Sequence, residues 1–439
     1  MLTRRQFLAA PLAMQQARKP NLVLIVSDDH HWQCIGAAGN PHVQTPNIDK
    51  LAARGVYFPQ GVISIAQCAP SRGVLLSGLE CYQTGLDSNG HISFRTFNGA
   101  TVVEQLRRAG YATNLVGKWH IDNLPKQCGF TNAPRWLRTA ASPYINPKLR
   151  HGLDATTDIE TPGHITEIFT DAAIDVIKNA RQPYLLWLTY NAPHTPWTAS
   201  DKYRSSKPAL PPPAHPAPRP AAQAAQKKKK QDGPFDWETY YAVIRELDAN
   251  IGRVIDAVDW NNTLIVFIGD NGYLAGSKGL NGKVFPWEES VRIPFLVSGG
   301  LVGKPGKSDA PVASIDVPAT LLDVAGVKPS HKMSGASMKP LLNGGKFARD
   351  AAYCAWNDGR TEALFAGYPV EPYRLVRTAT HKFIVWESKK TALFDLRSDP
   401  HEEKNLADDP AQKAALTQMK NRIRARMKAT ADPAMAWLG

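Results

Sequence analysis

One short segment of the chain combines a thiol, a rigid proline and an arginine. Residues 68–72 read Cys-Ala-Pro-Ser-Arg and are followed by an apolar stretch that ends at Gly78. This pattern predicts a loop that enters a helix at Cys68, where backbone N–H groups and the helix dipole favour negative charge. Most cysteines are small buried hydrophobic residues. The context of this one favours a chemical role.

Oxygen donors follow two apolar strands of the predicted fold. Asp28 and Asp29 come directly after the first apolar run, and Asp270 and Asn271 come directly after a later one. Each pair alone is typical of a turn or a helix cap. Brought together at one sheet edge, three carboxylates and one amide oxygen form an all-oxygen site. Such a site suits calcium or magnesium better than zinc.

Lysine and histidine occur in two further clusters that also follow apolar strands. Lys118 and His120 lie in one of them, where lysine supplies a point charge for an anion and histidine exchanges a proton near neutral pH. His194 lies in the other cluster, between two prolines. A single histidine is more often structural, but two at parallel strand ends favour a function. Lys283, just before Trp287, is a further candidate cation.

The elements that must position these residues alternate between strands and helices. Apolar runs predict strands at 21–27, 112–116, 184–190 and 263–268. Helical periodicity predicts helices between them, one of which has an apolar face from Tyr240 to Val258. This alternation predicts an α/β fold, with a mainly parallel sheet flanked by helices. Ligands of such sheets bind beyond the carboxyl ends of the strands, where the polar clusters lie.

We divide the chain into three parts. Residues 1–20 are a predicted export signal, residues 21–345 the catalytic α/β domain, and residues 346–439 a smaller C-terminal α+β domain. The third part combines short predicted strands with a charged helix over 410–429. Residues 205–233 are rich in Pro, Ala and Lys, which predicts a surface insertion that buries no core.

Composition restricts the class of protein. With 43% hydrophobic and 21% charged residues, the chain resembles soluble globular proteins. No apolar run reaches the ~18 residues that a membrane span needs. The formal net charge of +13 suits an anionic substrate or polymer. We expect no nucleic-acid partner and no membrane span. The five cysteines fit no zinc pattern and fix no disulfide.

The N-terminus contains an export motif. Arg4 and Arg5 precede a short apolar segment that ends at Met14. Paired arginines in this position are typical of a twin-arginine signal peptide. We therefore expect an exported bacterial protein that reaches the periplasm.

Taken in order, these motifs resemble those of the type I sulfatases. The cysteine segment matches C-x-P-S-R-x-x-x-x-[ST]-G, and the other motifs follow the family's order at 27–29, 45–49, 117–120, 192–194, 269–272 and 283–290. The stretches 393–396 and 399–406 resemble the family's closing motifs. The likeness covers nearly the whole chain from Asn21 to Leu406. It implies an alkaline-phosphatase-like fold and the hydrolysis of sulfate esters.

The resemblance also implies a modified residue and a metal ion. Cys68 is expected to be oxidised to formylglycine (3-oxoalanine) by a separate formylglycine-generating enzyme. One Ca²⁺ ion is expected to be held by the modified Cys68 together with Asp28, Asp29, Asp270 and Asn271. The hydrated aldehyde carries two hydroxyls on one carbon. The first attacks sulfur, and the second then allows sulfate to be expelled.

Five residues match the family's remaining catalytic motifs. Arg72 and Lys118 are implied to hold the formylglycine hydrate, and His120 to act on its second hydroxyl. His194 and Lys283 are implied to contact the sulfate group, with His194 as the proton donor to the leaving oxygen. Such cations stabilise charge on the sulfate oxygens, usually the largest catalytic effect.

The chain departs from the family pattern at one position and in one segment. Lys278 stands in a glycine-rich stretch where many relatives have histidine, so substrate contacts on that side are not transferred from the family. The same holds around the insertion at 205–233. The leaving group of the substrate, carbohydrate or other, stays open at this point.

Two other functions are compatible with these residues. Phosphonate monoester and phosphodiester hydrolases of the same superfamily share the formylglycine and much of the metal site, and a tetrahedral phosphoryl group fits the same cations. A non-catalytic polyanion-binding protein would use the basic charge and the lysine run 227–230. It would not need the complete set of thiol, metal and histidine residues.

Overall fold

The computed structural model describes residues 18–205, 209–212, 235–358 and 370–439. Arg4 and Arg5 of the predicted export signal lie outside these residues, as does most of the predicted insertion at 205–233. None of the described helices is both long and apolar enough to cross a bilayer. All five cysteines are buried and free.

The described residues form a succession of short strands and helices. The strands are β1 (Asn21–Ser27), β2 (Val56–Tyr57), β3 (Ala112–Lys118), β4 (Trp136–Leu137), β5 (Lys148–Leu149), β6 (Ile159–Glu160), β7 (Tyr184–Thr189), β8 (Thr263–Gly269), β9 (Phe295–Gly299), β10 (Gly306–Lys307), β11 (Ala352–Trp356), β12 (Tyr373–Arg377), β13 (His381–Trp386) and β14 (Thr391–Asp395). The α-helices are α1 (Pro46–Ala53), α2 (Cys68–Ser77), α3 (Cys81–Thr84), α4 (Val102–Arg108), α5 (Ile165–Asn179), α6 (Trp237–Ala257), α7 (Glu288–Val291), α8 (Asp316–Val324) and α9 (Lys413–Ala429).

Eight strands form one large sheet in the order β10-β2-β9-β8-β1-β7-β3-β4. β9 runs antiparallel to both of its neighbours, and the other neighbouring pairs are parallel. The predicted mainly parallel sheet flanked by helices is confirmed. The antiparallel β9 was not predicted. An antiparallel neighbour needs no crossover helix, so the strand–helix alternation carries no sign of it.

Successive side chains of β1 enter two separate cores. Leu24 and Val26 pack with residues of α2, α4 and α8 on one face of the sheet. Val23 and Ile25 pack with residues of α1, α5 and α6 on the other. All of β1 is buried, as expected of a parallel strand covered on both faces. The two layers therefore hold β1 rigidly, together with the loop that begins at Asp28.

A second sheet, in the order β11-β12-β13-β14, is antiparallel throughout. One of its faces, with Leu375 and Ile384, joins the core that contains α2. The other face, with Val376 and Phe383, packs against α9. This arrangement confirms the predicted α+β character of the C-terminal part. The exact domain boundary at 345/346 stays a prediction.

Four adjacent parallel strands end at the same edge of the large sheet. β8, β1, β7 and β3 are neighbours in this order. Their register aligns Ser27 with Gly269 and Gly117 with Thr189, so the carboxyl ends of the strands are level. The segments at these four ends carry the polar clusters found in the sequence. α2 begins at Cys68, as predicted, and all its residues are buried.

Candidate active site

Cys68 lies at the first turn of α2 and is almost fully buried. Its Sγ accepts a hydrogen bond from Lys283 Nζ at 2.7 Å and donates one to Asp28 Oδ1 at 3.4 Å. The start of a helix adds partial positive charge from its free N–H groups. The sulfur therefore lies between a carboxylate and an ammonium group, at the N-terminal end of a helix.

Asp28 and Asp29 place two carboxylates beside this sulfur. Asp28 forms ion pairs with Lys118 and, at 3.4 Å, with Arg72 Nη2. Asp29 forms an ion pair with Lys283. The backbone of Asp29 has a φ of 58°, in the left-handed region. This conformation turns the chain directly after β1 and lets both carboxylates meet the cations.

Asp270 and Asn271 reach the same point from the end of β8. Arg72 Nη2 donates to Asp270 Oδ2 at 2.8 Å as well as to Asp28, so one guanidinium bridges two strand ends. Asn271 Nδ2 donates to Asp29 Oδ1 at 2.7 Å. Its Oδ1 is buried and has no hydrogen-bond partner among the described residues. A buried oxygen of this kind is a candidate cation ligand.

His120 and His194 approach from the ends of β3 and β7. Nδ1 of His120 is buried, with no hydrogen-bond partner in the described part of the chain. His194 Nδ1 lies 2.5 Å from the carbonyl oxygen of Thr195, which can only accept, so we assign the ring proton to Nδ1. His194 Nε2 lies 3.6 Å from Asp29 Oδ2. Nε2 is therefore the nitrogen of His194 that can exchange a proton.

Charge and burial set the protonation of these groups. Burial alone would raise the pKa of Asp28, but nearby positive charge, above all that of Lys118, brings it well below its usual range. Burial raises the pKa of Asp270, and the charge of Asp28 adds to the effect. Burial, then the charge of Lys118, lowers the pKa of His120 to about 2. Burial also lowers the pKa of His194. Both imidazoles are therefore neutral at pH 7.

Cys68 and its partner Lys283 both keep their protons, which leaves the thiol neutral and the ammonium group charged. Burial raises the pKa of Cys68 to about 12, and the charge of Asp28 acts in the same direction. Burial would lower the pKa of Lys283, but the charge of Asp29 raises it well above its usual value. Cys68 is therefore a neutral thiol at pH 7. Because the thiolate is the nucleophilic form, this state argues against catalysis by an unmodified cysteine.

Residues 20–327, more than two thirds of the chain, match the family model described as sulfatase. This chain belongs to the sulfatase family. Residues 276–429 also match the C-terminal model described for N-sulphoglucosamine sulphohydrolase. The family and the enzyme class, a sulfuric ester hydrolase, were both predicted from the ordered motifs, and both are confirmed.

Curated relatives and a solved structure agree with the assignment. The sulfatase is 24% identical to N-acetylglucosamine-6-O-sulfatase of Bacteroides thetaiotaomicron, over 89% of this chain and 83% of the relative. It is 28% identical to an ulvan-active sulfatase of Formosa agariphila, over 89% and 78%. A solved structure of a protein in complex with its substrate D-glucosamine-2-N,6-O-disulfate matches with a TM-score of 0.83, at 24% identity over 95% and 99% of the two chains. This likeness confirms the predicted fold.

The fold of the sulfatase brings together all the residues that the sequence singled out for the site. They lie around the carboxyl ends of β8, β1, β7 and β3 and the start of α2. Their individual roles in the reaction stay predictions. The set is Asp28, Asp29, Cys68, Arg72, Lys118, His120, His194, Asp270, Asn271 and Lys283.

Two tyrosines that the sequence did not single out support the site. Tyr240 Oη donates to the backbone oxygen of Asp29 at 2.7 Å and accepts from the backbone N–H of His31 at 2.9 Å. Tyr144 Oη donates to the backbone oxygen of His194 at 2.8 Å. In the sequence, Tyr240 belongs to the apolar face of α6. A buried tyrosine hydroxyl needs a hydrogen-bond partner, so a tyrosine on a buried helix face was the feature of the sequence that could have indicated this contact.

Lys278, the departure from the family pattern, makes structural contacts. Its Nζ donates to the backbone oxygens of His401, at 2.5 Å, and Glu402, at 3.2 Å. The same ammonium lies 4.8 Å from the centre of the Trp287 ring. Lys278 therefore connects the loop that precedes Lys283 to the C-terminal part of the sulfatase.

The residues present fit a calcium ion. Potential ligand atoms of Asp28, Asp29, Cys68 and His194 all lie within 4.8 Å of one another. The unpartnered Oδ1 of Asn271 adds a neutral oxygen next to Asp29. Carboxylate and amide oxygens are hard donors, which calcium prefers and zinc does not. The donor chemistry therefore agrees with the ion that the family resemblance implies.

Proposed function

We propose that this sulfatase hydrolyses sulfate monoesters with a formylglycine at position 68 and a Ca²⁺ ion beside it. The observation that carries the proposal is the position of Cys68 Sγ, between Lys283 Nζ and Asp28 Oδ1 at the first turn of α2. In the described part of the chain, Cys68 is the one cysteine that belongs to a group of potential metal ligands.

Formylglycine supplies a hydrated aldehyde, whose two hydroxyls serve as the nucleophile and as the group that later releases sulfate. The chain's own residues hold this centre in place. Arg72 Nη1 donates to the backbone oxygen of Lys118 at 2.6 Å, which fixes the two cations relative to each other. Because His120 is neutral and its Nδ1 is unpartnered among the described residues, its ring can accept a proton from the side chain at position 68.

His194 is the proposed proton donor to the leaving oxygen. Its Nδ1 is held by the carbonyl of Thr195, so Nε2 first takes up a proton from solvent, to which the side chain is 17% exposed, and then donates it to the leaving oxygen. The neighbouring carboxylate of Asp29 stabilises the ring when it is doubly protonated. Lys283 contacts Cys68 and Lys118 contacts the neighbouring Asp28, so both lysines can neutralise charge that develops on the sulfate oxygens.

Asp28, Asp29, Asp270 and Asn271 are the proposed Ca²⁺ ligands. The ion would supply positive charge that acidifies a nearby hydroxyl and stabilises the sulfate oxygens. Arg72 bonds to both Asp28 and Asp270, which orients the two carboxylates before any ion arrives. Such pre-orientation lowers the cost of assembling a site with three carboxylates.

We infer that the substrate is a sulfated carbohydrate. The two relatives described above are named as acting on N-acetylglucosamine-6-O-sulfate and on ulvan. The net charge of +13 assists the approach of an anionic saccharide. Aryl and other small sulfate esters are the alternative substrates. Hydrolysis rates on a panel of sulfate esters would distinguish them from carbohydrate sulfates.

We further propose that a formylglycine-generating enzyme matures the chain and that the twin-arginine route exports it to the periplasm. The support is the C-x-P-S-R motif at Cys68 and the pair Arg4 and Arg5. Replacing both arginines by lysine should retain the protein in the cytoplasm of its native host. An unchanged distribution between cell fractions would refute the export route.

A mass spectrum of the peptide containing Cys68, from protein made in the native host, tests the modification. We expect an aldehyde, and an unmodified thiol would contradict the mechanism. Cys68→Ala should abolish hydrolysis of 4-nitrophenyl sulfate, whereas Cys128→Ala, at another buried free cysteine, should leave it intact. Faster hydrolysis of an aryl phosphonate monoester than of the aryl sulfate would favour the phosphonate hydrolase alternative. Polyanion binding without any hydrolysis would favour the non-catalytic one.

A further inference from the structure

A tight turn at residues 87–91 lies directly beside the nucleophile segment. The backbone N–H of Asn89 donates to Gln67 Oε1 at 2.7 Å, and Asn89 Oδ1 accepts from the backbone N–H of Ala69 at 3.2 Å. Gln67 and Ala69 are the two neighbours of Cys68 in the chain. The turn is therefore attached on both sides of the reactive residue.

The chain after this turn is attached to the histidine segment of the site. The backbone N–H of Asp122 donates to the backbone oxygen of Ile92 at 2.9 Å, and Asn123 Oδ1 accepts from the backbone N–H of Phe94 at 2.9 Å. Asp122 is two residues from His120. Residues 89–94 therefore run from the Cys68 side of the site to the His120 side, and form part of its rim.

Three charged or titratable side chains are grouped on this rim. Asp87 Oδ1 lies 2.9 Å from His91 Nδ1, and Arg95 Nη2 lies 3.2 Å from Asp87 Oδ2 and 3.2 Å from His91 Nδ1. Arg95 Nε donates to the backbone oxygen of Gly85 at 2.7 Å, which fixes the guanidinium. The exposed fractions of the side chains of Asp87, His91 and Arg95 are 21%, 33% and 48%. We call these three residues the rim triad.

The rim triad presents unused hydrogen-bonding groups to solvent. Among the described residues, His91 Nε2 and Arg95 Nη1 have no hydrogen-bond partner. One residue, Gly90, separates His91 from Asn89, a span of at most about 7 Å, so the triad is close to the Cys68 segment. Ion pairs this exposed contribute little to stability.

We propose that Asp87, His91 and Arg95 bind the saccharide ring that carries the sulfate ester. A sulfate held at position 68 directs its leaving group outward, along the rim. The Asp87 carboxylate accepts from ring hydroxyls, and His91 Nε2 and Arg95 Nη1 bond to hydroxyl or anionic substituents. Charged hydrogen-bonding groups at fixed positions give such a subsite its specificity. This inference rests on the proposed function and names the residues that select its substrate.

Arg95→Ala and His91→Ala test the proposal, with Arg107→Ala as the control. Arg107 is also an exposed arginine in an ion pair, with Glu104, and lies outside the rim. Rates are measured on 4-nitrophenyl sulfate and on a panel of monosulfated monosaccharides that includes N-acetylglucosamine 6-sulfate. The aryl sulfate lacks hydroxyls and reports on the catalytic centre and on folding.

For both rim variants we expect kcat/KM on the best saccharide to fall about 10- to 100-fold, mainly through KM. Activity on the aryl sulfate should stay within about two-fold of wild type, and Arg107→Ala should change neither. Equal losses on both substrates, or no loss on the saccharide, would overturn the subsite. If wild-type protein cleaves the aryl sulfate but no saccharide, the subsite is refuted and the sulfatase chemistry stands. If it cleaves neither, the proposed function itself fails.

Discussion

Lys382 lies in a buried charge cluster that joins α7, just after Lys283 in the chain, to the C-terminal sheet. Its ammonium is fully buried, 2.5 Å from Glu402 Oε1 and 3.3 Å from Glu288 Oε1. Glu402 Oε2 also accepts from the backbone N–H of Glu288 at 2.8 Å, so the two carboxylates are close neighbours. Arg377 bonds to Glu288 but not, among the described contacts, to Glu402. Lys382 is therefore the cation that neutralises the buried Glu402 carboxylate.

Lys382→Met should destabilise the fold by about 3–5 kcal/mol, because it leaves the Glu402 carboxylate buried and unpaired beside a second one. With 439 residues and an unfolding entropy of about 2.1 cal/mol/K per residue, each kcal/mol corresponds to about 1 °C in Tm. Calorimetry should therefore show a Tm lowered by about 3–5 °C. The double variant Lys382→Met/Glu402→Gln should regain much of this loss, because the second change removes the unpaired charge.

The loss should also depend on pH. Burial, and then the charge of Glu288, already raises the pKa of Glu402 in the folded protein, and removing Lys382 raises it further. A carboxyl whose folded-state pKa exceeds its unfolded value destabilises the protein above the folded pKa. The destabilisation fades as the pH falls toward the unfolded value of about 4.3. The difference between variant and wild type should therefore shrink on acidification.

Lys339→Met is the matched control, because Lys339 pairs with Asp323 at the surface, with both side chains nearly half exposed. Its loss should not exceed about 1 kcal/mol. The reasoning is refuted if Lys382→Met costs no more than this control, if Glu402→Gln brings no recovery, or if the loss grows as the pH falls.

Three further substitutions test the site itself. Asn271→Ala removes the unpartnered Oδ1, so titration calorimetry should show Ca²⁺ binding weakened at least about tenfold; unchanged affinity would exclude this ligand. His194→Gln should lower kcat about 10²- to 10⁴-fold on saccharide sulfates but much less on 4-nitrophenyl sulfate, whose leaving group needs no proton; equal losses would argue against a proton donor. Tyr240→Phe removes the hydroxyl bonded to the Asp29 backbone and should cost about 1–3 kcal/mol in denaturant unfolding, and a negligible change would show that the bond is dispensable.

The sequence predicts the central part of the fold well, because each catalytic cluster follows a continuous apolar run. The strands at 21–27 and 263–269, and the start of α2 at Cys68, agree with their predicted positions to within one residue. The strand order β8-β1-β7-β3, in contrast, could not be predicted from the sequence. It depends on which helices cover which face, and no local pattern of residues reports that choice.

The site is predictable where its residues are chemically unusual in context, and hidden where they resemble ordinary core or turn residues. Asp28, Asp270 and His120 stand out because polar groups follow apolar strands. Tyr240 lies on the apolar face of α6, and its contact with Asp29 depends on how that helix packs. The segment Asp-Ser-Asn-Gly at 87–90 carries an ordinary turn signal. Its attachment beside Cys68 is a tertiary contact that local sequence does not encode.

The charges of the site restrict which esters it can process. Both histidines are neutral at pH 7, and the fixed charges of the remaining side chains sum to zero, so a bound Ca²⁺ ion makes the site +2. A sulfate monoester brings −1 and an ionised nucleophile another −1, which the site neutralises completely. A phosphate monoester brings −2 above its second pKa of about 6 and would leave one buried negative charge uncompensated. At pH 8 we therefore expect kcat/KM for 4-nitrophenyl phosphate at least about tenfold below that for 4-nitrophenyl sulfate, and equal values would refute this charge balance. The charged side chains are Arg72, Lys118 and Lys283 with Asp28, Asp29 and Asp270.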